Sequence, residues 1–578
     1  MIFRGEKMKR TPTIWSENHG KDNFIPEYPD CSMFSFMEQT KNRHPDFTAL
    51  EFQNNKMTFS EMFAQIELIA QSLLANGVKK GDYVSVVAPN TPQAVNMVYA
   101  INRIGAIANM IHPLLSQSEI KQLVENVNSK VMLTFDLVYP KIAEIEWKSP
   151  CNPLMIIAHI SDALPFYLRP IYRLKAEKKI DYNPSHNTIE WKDFLKKGKM
   201  RKESLPVDDG KGEDVAIILY SGGTTGLPKG VMLQNFAFNA MAVQASEIKP
   251  LDTKDTAGKR VLALMPVFHG FGLAMCIHVM LSFGCHLFLV PKFDYKACAK
   301  LIFKKKLNYI YAVPALYEAL SRTEEIENAD LSFMEMVAVG GDKCDKKLIA
   351  RMNKYLEKGN SNTRLMDAYG LTETVSGAII NPFFGMKEDS IGLPFPDNEV
   401  KIVKIGTQEE VPVGEDGELC ISGPTRMLGY YNNEEETARV IQKHADGKIW
   451  VHTGDICHVD EDGYVFYGQR HSRMIIVAGN NVYPTQIENV INQCDEVNTS
   501  CVIGVTGRAA VQKIVAVVQP TSMDIDLDAL RKEINEICEK NVADYARPQE
   551  VVFREEMPKT AMGKVSFKKL IEEMEGKK

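Results

Sequence analysis

The chain has 578 residues, which is too long for one hydrophobic core, so we expect roughly two to four domains or subdomains. Its net charge of −6 supplies no basic field, which argues against a nucleic-acid partner. The 11 cysteines contain no CxxC pair, and such a set is typical of reduced thiols in a cytoplasmic protein.

The N-terminus and one long apolar run bear on membrane targeting. Residues 1–15 lack the apolar core of a secretory signal, and Met1 and Met8 are both candidate start positions. Residues 271–290 carry no charge and are long enough to span a bilayer. Because residues 282–284 divide this run into a helix-like half and a β-like half, we expect a buried helix and a buried strand, with a transmembrane segment as the alternative.

The first elements along the chain alternate between helix and strand. Thr58 and Glu61 fit a capping box that opens a helix, and Gly77 supplies its end. Strand, helix and strand patterns follow over residues 82–113. This alternation predicts a parallel sheet covered by helices.

The alternation weakens between about residues 135 and 212, where the chain is aromatic, basic and punctuated by proline. We expect a surface insertion there, and a patch that meets a membrane surface or an acyl chain is the alternative. Buried strand patterns then return at residues 214–219, 260–266, 286–291, 307–314 and 334–341.

After residue 470 the composition changes, and strand patterns at 500–505 and 513–520 indicate a small α/β domain. The sequence therefore predicts an α/β fold in two domains. Residues 1–471 form a large N-terminal domain of parallel-rich sheets covered by helices, and residues 472–578 form the small C-terminal domain.

The stretch "LYSGGTTGLPKGV" at residues 219–231 has the composition of a polyphosphate-binding loop. Glycines let backbone N–H groups close around phosphate oxygens, hydroxyl groups add donors, and Lys229 adds a positive charge. It is not the common P-loop, because Pro228 precedes the lysine and Gly230 follows it. A flexible glycine turn is the alternative. The candidate phosphate-binding residues are Ser221, Gly222, Gly223, Thr224, Thr225, Gly226 and Lys229.

This stretch resembles the phosphate-loop signature of the adenylate-forming enzymes, which include acyl-CoA synthetases, peptide-synthetase adenylation domains and firefly-type luciferases. Further motifs similar to those of the family follow in the family's order: "PVFHGFG", "DAYGLTET", "GELCISGPTRMLGYY", "WVHTGD" and "PKTAMGKV". The resemblance implies the adenylate-forming fold, with a small C-terminal domain that rotates. It also implies ATP, Mg²⁺ and coenzyme A as cofactors and substrates.

By the same resemblance, individual residues acquire expected roles. Tyr369 stacks on adenine, Thr372 meets the α-phosphate and Glu373 ligates Mg²⁺. A flat ring offers a stacking face, and a carboxylate is a usual ligand of Mg²⁺. His269 lines the acid pocket, and a buried packing histidine is the alternative. The other implied positions are Gly340, Gly341, Asp367, Ala368 and Gly370 at the nucleotide, Asp455 at the ribose, Arg470 at ribose and phosphate, Gly479 at the pantetheine tunnel, and Lys564 as the catalytic lysine.

The expected function is an ATP-dependent acid–CoA ligase that forms an acyl-AMP. Gly370 stands where acetate-activating relatives have tryptophan, so we expect a longer acid, preferably a medium- to long-chain fatty acid, with an aryl acid left open. An enzyme that loads a carrier-protein thiol and a nucleotide-binding protein without catalysis are the alternatives. We expect a monomer or homodimer in the cytoplasm whose partners are small molecules, and peripheral membrane contact stays open.

Overall fold

The computed structural model of the chain describes residues 26–175, 181–221, 228–248, 256–292, 294–342, 344–382, 385–470, 473, 475–477, 480–482, 484–506, 512–542, 546–559 and 565–576. The chain forms two compact units. The first comprises Met1–Val400 and Ile421–Val451, and the second comprises Lys401–Cys420 and His452–Lys578. The sequence predicts a domain boundary at residue 472, from the change in composition after residue 470. That boundary stays a prediction, since residues 471 and 472 lie outside the described parts.

The first unit contains a nine-stranded sheet whose six central strands are parallel. Antiparallel strands lie at its two edges. The buried strand patterns predicted at 260–266, 286–291, 307–314 and 334–341 are confirmed in this sheet. Its order is Leu393–Pro394, Gly377–Ile380, Leu365–Gly370, Met336–Gly340, Tyr309–Ala312, Arg260–Ala263, His286–Leu289, Thr48–Phe52 and Asn55–Thr58.

An eight-stranded sheet in the same unit holds the βαβ segment predicted over residues 82–113. Six of its strands are parallel, and two antiparallel strands close one edge. Its order is Gly429–Tyr430, Lys229–Gln234, Val215–Ser221, Ile107–Met110, Tyr83–Val86, Val131–Phe135, Leu154–Ala158 and Thr188–Glu190.

This second sheet corrects the expectation for residues 135–212. Leu154–Ala158 is a sheet strand, four of whose five residues are buried, and Thr188–Glu190 pairs beside it. The region is therefore part of the sheet rather than a surface insertion throughout. The short apolar run at 154–158 gave too weak a periodic signal to separate a strand from a loop.

Helices cover the strands of the first unit. The helix Phe59–Ala75 begins at the predicted capping box, where Thr58 and Glu61 exchange both hydrogen bonds, and Gly77 follows at a φ of 82°. The other helical segments are Met33–Arg43, Pro92–Arg103, Gln117–Asn126, Tyr139–Ile142, Ile160–Ala163, Arg169–Lys175, Trp191–Met200, Asn235–Ser246, Phe271–Val279, Met280–Ser282, Tyr295–Lys305, Pro314–Ser321, Glu324–Glu327, Lys346–Lys358, Thr372–Thr374 and Glu434–Val440.

The uncharged run at residues 271–290 folds as a buried helix followed by a buried strand, as the sequence predicts. One difference is that Phe271–Val279 winds as a π-helix rather than an α-helix. π-Helical turns occur frequently at functional sites. Among the described helices, none has both the length and the apolar character needed to cross a bilayer.

The second unit includes most of a five-stranded sheet, whose strands Glu399–Val403 and Ile449–Val459 carry the chain from one unit to the other. The predicted strands near 500 and 515 form a three-stranded sheet that packs around Ile514, Ile534 and other apolar residues. The five-stranded sheet also contains Gly417–Ser422, Val465–Arg470 and, from the first unit, Ile441–Lys443. The other elements of the second unit are Ile475–Val477, Asn480–Val482, Pro484–Ile491, Val497–Thr506, Gln512–Pro520, Leu527–Asn541, Glu550–Phe553 and Phe567–Met574. The predicted α/β class, with a large parallel-rich part and a small C-terminal part, is confirmed.

Candidate active site

The glycine- and hydroxyl-rich stretch joins two paired strands. Val215–Ser221 and Lys229–Gln234 run antiparallel, and Ser221 lies opposite Lys229 in the register. The residues between them that the sequence singles out, Gly222, Gly223, Thr224, Thr225 and Gly226, lie outside the described residues. The stretch thus leads from strand to strand, unlike a P-loop, which leads from strand to helix.

The "GYY" end of a later motif lies against this hairpin. Gly429 and Tyr430 pair with Met232 and Val231, and the Tyr431 amide donates to the Gly230 carbonyl at 2.7 Å. Gly429 has little room for a side chain, because a Cβ there would lie 2.7 Å from Thr437 Cγ2. Backbone pairing therefore brings together two motifs that are about 200 residues apart in sequence.

Lys229 is ion-paired in this structure. Its Nζ contacts Glu436 Oε1, and it lies 5.3 Å from the centroid of the Tyr430 ring. Arg439 donates to both oxygens of the Glu436 carboxylate, at 2.8 and 2.6 Å. Arg439, followed by Lys229, lowers the pKa of Glu436 to about 2. The Glu436 carboxylate is therefore paired with Lys229, the lysine that the sequence predicts to bind phosphate.

Tyr430 connects this cluster to Glu373. The Tyr430 hydroxyl donates to Glu373 Oε1 at 2.8 Å, and the Met427 amide donates to the Glu373 carbonyl, also at 2.8 Å. Burial, and then the charge of Glu373, hold the pKa of Tyr430 above its usual value, so the phenol stays a donor. Lys229, Tyr430 and Glu373 thus form one connected group within the first unit.

The turn that carries Thr372 and Glu373 is strained. The next residue but one, Val375, is fully buried at φ 64° and ψ −55°, and the Ser376 amide donates to the Thr374 carbonyl at 2.7 Å. These features define a γ-turn, a conformation that is rare for a β-branched residue and costs about 1–3 kcal/mol. The surrounding structure holds this turn against its strain, which fixes where Glu373 emerges.

The "PVFHGFG" element packs against the same turn. Asn90 accepts from the Val267 amide at 2.7 Å and donates to the Met265 carbonyl at 2.8 Å, which fixes the start of the element. A Cβ on Gly270 would lie 1.8 Å from the Val375 carbonyl oxygen, so only glycine permits this approach. His269, the predicted acid-pocket residue, is partly exposed and begins the helical turn that leads into Phe271–Val279.

The π-helix after His269 carries no charge. His278 within it is fully buried between Tyr99, at 3.1 Å, and Asn239, at 3.2 Å. Burial lowers the pKa of His278 to about 3, so this ring is neutral near pH 7.

The predicted nucleotide-binding residues occupy the carboxyl ends of two adjacent parallel strands. Gly340 ends Met336–Gly340 and pairs with Ala368, and Gly341 follows at a φ of 78°. Asp367, Ala368 and Tyr369 lie on Leu365–Gly370 and are partly exposed. Ligands of open α/β sheets bind at such strand ends.

Gly370 has a structural reason that the sequence did not reveal. It pairs with Gly377, and a Cβ would lie 1.7 Å from the Ser376 carbonyl oxygen. Any side chain here therefore requires the backbone to shift. The glycine follows from this close strand approach, so it no longer supports the expectation of an acid longer than acetate.

The remaining predicted residues belong to the second unit. Asp455 is fully buried, its amide donates to Thr453 Oγ1 at 3.1 Å, and it pairs with Arg470 across two antiparallel strands. Gly479 and Lys564 lie outside the described residues. Lys559 and Val565, which flank the predicted catalytic loop, form an antiparallel bridge.

The Glu373 carboxylate is the candidate ligand of the implied Mg²⁺. It has two oxygens with about four lone-pair positions, and the Tyr430 hydroxyl uses one of them. An anionic oxygen donor of this kind fits Mg²⁺, which binds through one or two carboxylates plus substrate phosphates. In the parts of the chain that the structure describes, no group of three or more His, Cys, Asp or Glu could hold a metal ion. The metal proposal therefore rests on Glu373 together with bound nucleotide.

Two residues of this cluster, Tyr430 and Glu436, are not identified from the sequence. Tyr430 lies in the quoted "GYY" motif, and Glu436 lies in the acidic run that follows it. A charge run is usually a solvated face, so nothing local set Glu436 apart from Glu434 and Glu435. The pairing of the Gly429–Tyr430 strand with the hairpin is what brings Glu436 to Lys229.

Comparison with known proteins agrees with this geometry. The family model described as "AMP-binding enzyme" matches residues 37–431, and that described as "AMP-binding enzyme C-terminal domain" matches residues 486–564. The chain belongs to the AMP-binding enzyme family. This chain is thus an adenylate-forming acid–thiol ligase that uses ATP.

Curated relatives of this AMP-binding enzyme match along most of their length. A long-chain-fatty-acid–CoA ligase of Bacillus subtilis (strain 168) is 31% identical over 550 residues, which cover 94% of this chain and 95% of the relative. A ligase with the same name from Salmonella typhimurium is 30% identical and covers 98% and 99%. Indoleacetate–CoA ligase of Aromatoleum aromaticum is 28% identical and covers 90% and 94%. An acid–CoA ligase of the adenylate-forming class fits all three matches.

Solved structures share the fold of the AMP-binding enzyme. The anthranilate CoA ligase AuaEII, in complex with anthranoyl-AMP, has a TM-score of 0.79 at 23% identity and covers 94% of this chain and 97% of its own. ATP-bound MatB from Rhodopseudomonas palustris has a TM-score of 0.77 at 21% identity and covers 95% and 100%. At these identities the likeness concerns the fold.

Proposed function

We propose that this enzyme activates a medium- to long-chain fatty acid as acyl-AMP and then transfers the acyl group to the thiol of coenzyme A. The observation that carries the adenylation chemistry is the connected group of Lys229, Tyr430 and Glu373. It places a cation and a carboxylate beside the phosphate-binding hairpin. The choice of acid is supported by two relatives at 30% and 31% identity that are named long-chain-fatty-acid–CoA ligases.

In the proposed first step, a carboxylate oxygen of the acid attacks the α-phosphorus of ATP. The new bond forms between that oxygen and phosphorus, and the bond to the bridging oxygen breaks, so pyrophosphate leaves. Lys229 binds the phosphates by exchanging Glu436 for a phosphate oxygen. Removing one preorganised donor that faces such a developing charge raises the activation free energy by about 3–4 kcal/mol.

Glu373 and Thr372 lie on one strained turn, which suits them for holding groups at the triphosphate. Glu373 would hold Mg²⁺, which when bound supplies positive charge that offsets the charge of the leaving pyrophosphate. The Tyr430 hydrogen bond keeps the Glu373 carboxylate in one orientation. Tyr369, Gly340 and Gly341 are proposed to receive the adenine at the strand ends.

In the proposed second step, the thiol of coenzyme A attacks the acyl carbonyl carbon. A carbon–sulfur bond forms, the bond from carbon to the AMP oxygen breaks, and the thiol releases its proton. Lys564 serves only the first step, and rotation of the C-terminal domain would withdraw it and bring Gly479 to the pantetheine. Asp455 and Arg470 are proposed to contact the ribose.

Two alternatives concern the acid and the acceptor. An aryl acid is the second candidate, because indoleacetate–CoA ligase is among the relatives. Transfer to a carrier-protein phosphopantetheine thiol would use the same adenylation chemistry. Both differ from the main proposal in their substrates alone.

A panel of carboxylic acids tests these proposals. Purified protein is incubated with ATP, Mg²⁺ and fatty acids of increasing chain length or aryl acids, with coenzyme A, a holo-carrier protein or no acceptor. Pyrophosphate and AMP are followed. We expect kcat/KM for medium- to long-chain acids with coenzyme A to exceed that for aryl acids by at least about tenfold. A difference of one or two methylene groups in an apolar pocket produces discrimination of about this size.

The same panel separates failure at each level. Higher kcat/KM for aryl acids assigns the second candidate. If turnover requires the carrier protein, the acceptor is the carrier-protein thiol rather than coenzyme A. No AMP from any acid contradicts the adenylation chemistry itself.

A further inference from the structure

A short helical segment of the first unit carries its large apolar side chains outward. Phe166 and Leu174 are 81% and 89% exposed, and Tyr167 and Ile171 are more than half exposed. With exposed Pro170, these five residues have the spacing i, i+1, i+4, i+5 and i+8. That spacing places them on one face of a helix, so they form a continuous stripe, which we name the apolar stripe.

The helical geometry extends beyond the helix Arg169–Lys175. Leu168 donates its amide to the Pro165 carbonyl at 2.9 Å, and Tyr172 donates to the Leu168 carbonyl at 2.9 Å. The rings of Phe166 and Tyr167 pack edge to face with centroids 5.6 Å apart. The stripe therefore begins with an aromatic pair and continues along the helix.

The segment is tied to the body of the unit from its other side. Arg169 Nε donates to the Leu164 carbonyl at 2.9 Å, and Arg173 Nη2 lies 3.6 Å from Asp162 Oδ1. Asn55 Nδ2 donates to the Ala163 carbonyl at 2.9 Å. These contacts orient the segment, so the outward direction of the stripe is a built feature of the unit. A large exposed apolar patch on a folded protein marks an interaction site.

The charge around the stripe selects its partner. Within the described residues 166–174, Arg169 and Arg173 are basic and no residue is acidic, whereas the whole chain has a net charge of −6. Apolar and aromatic side chains beside clustered Arg and Lys are typical of helices that lie in the interface of an anionic bilayer. A second copy of this chain would bring the same positive charge to the contact, and like charges oppose that pairing.

We propose that the apolar stripe docks the enzyme on an anionic lipid bilayer, with Phe166, Tyr167, Ile171 and Leu174 entering the interfacial region. The exposed guanidinium of Arg173 meets the lipid phosphates. None of the stripe residues belongs to the proposed ligase chemistry. Membrane docking and acid activation therefore succeed or fail separately.

Vesicle sedimentation of the full-length protein tests this proposal. The probes are vesicles of phosphatidylcholine alone and vesicles in which about one third of the lipid is phosphatidylglycerol. We expect the bound fraction to be at least about tenfold higher on the anionic vesicles and to fall with added salt, which screens the charge. The double variant Phe166→Ser/Leu174→Ser should lose at least about tenfold in binding, since it removes two interfacial anchors.

Matched variants separate docking from misfolding. Val207→Ser changes an exposed apolar side chain outside the stripe and should bind vesicles as the unaltered protein does. All variants should retain AMP formation from a water-soluble acid. Unaltered protein that stays in the supernatant with anionic vesicles overturns the proposal, as does equal binding by the double variant. A dimer in sedimentation velocity that the double variant abolishes assigns the stripe to a second copy and also overturns it.

Discussion

At the scale of single residues, Glu373 combines a carboxylate suited to a cation with a position set by a strained turn. Tyr430 occupies one carboxylate oxygen in this structure, so cation binding and the phenol hydrogen bond must share the group. The sequence resemblance pointed to the carboxylate. The tyrosine that orients it became visible only in the fold.

Replacing Glu373 by glutamine tests the proposed cation role. The amide keeps the shape and the Tyr430 contact but removes the negative charge, so affinity for Mg²⁺ should fall. We expect adenylation at limiting Mg²⁺ to drop by at least about tenfold and to recover partly at high Mg²⁺. The rate of pyrophosphate release is measured across a Mg²⁺ titration. An unchanged Mg²⁺ dependence would argue against Glu373 as the ligand.

Glu436 gives a second residue-scale prediction, because it occupies Lys229 in this structure. If ATP must displace this carboxylate, the apparent affinity for ATP is reduced by the fraction of molecules in which the pair is closed. Glu436→Gln should therefore lower KM for ATP by about threefold or more. The control is Glu435→Gln, which changes an exposed neighbour on the same helix. A KM that rises in the Glu436 variant would show that the pair positions Lys229 instead.

At the scale of elements, close backbone approach holds the "PVFHGFG" element against the turn that carries Glu373. Gly270→Ala places a Cβ 1.8 Å from the Val375 carbonyl oxygen, and the neighbour is backbone that cannot rotate away. We expect a loss of about 1–3 kcal/mol in the free energy of unfolding, as for other overpacked sites. Denaturant unfolding measures it.

The matched control for this substitution is Gly377→Ala. Its nearest neighbour would be Phe395 Cζ at 3.1 Å, a side-chain atom that can move. The control should lose less stability than Gly270→Ala. Equal losses would mean that the contact with Val375 is not what requires glycine at position 270.

Three neighbouring strands of the eight-stranded sheet end at one histidine. His159, after Leu154–Ala158, lies 3.2 Å from Asp136 Oδ2 and 3.0 Å from Glu190 Oε2. Asp136 and then Glu190 raise the pKa of His159 from 6.5 to about 10. A charged imidazole thus joins the ends of three parallel strands.

This histidine predicts a pH dependence of stability. Because the folded-state pKa is raised, the stabilisation is fully present below pH 6.5 and is lost as pH rises towards about 10. His159→Gln should be less stable near neutral pH and should show a flatter decline over this range. Thermal or denaturant unfolding between these pH values measures both. The control His458→Gln removes an exposed His–Asp pair and should leave the profile unchanged. Parallel profiles for His159→Gln and the unaltered protein would contradict the prediction.

Elements with a strong period were predictable, and those set by long-range pairing were not. Thr58 and Glu61 define a helix start locally, and the apolar strands of the parallel sheets are continuous runs. By contrast, the π-helical winding of Phe271–Val279 and the γ-turn at Val375 depend on neighbours distant in sequence. A glycine can be misinterpreted for the same reason. In the sequence, Gly370 indicates a longer acid, yet an added Cβ there would meet the Ser376 backbone.

At the scale of the whole molecule, the proposed adenylation step uses the groups of the first unit together with Lys564, whereas the proposed thiol step does not use Lys564. Motif order predicted the family and the two-part architecture, because each motif is a local residue pattern. The sequence could not show that Lys229 is paired with Glu436, since that contact needs the pairing of Gly429–Tyr430 with the hairpin.

Lys564→Ala tests the division of labour. Adenylation needs a cation at the phosphates, whereas thiol attack on a finished acyl-AMP does not. We expect acyl-AMP formation to fall by at least about a hundredfold, and thioester formation from supplied acyl-AMP to stay within about twofold of the unaltered enzyme. Lys559→Ala, at the other end of the bridged loop, is the control and should affect neither step. Loss of both half-reactions would assign Lys564 a structural role.

The contact between Gly270 and Val375 bears on attempts to redesign which acids are accepted. In libraries that randomise the whole "PVFHGFG" stretch, most members would have an altered backbone, because two of its positions, Gly270 and Gly272, tolerate no side chain. Keeping Gly270 and Gly272 fixed while varying His269 confines diversity to a position with room for it. Changes in acid preference could then be selected without disturbing the geometry on the nucleotide side.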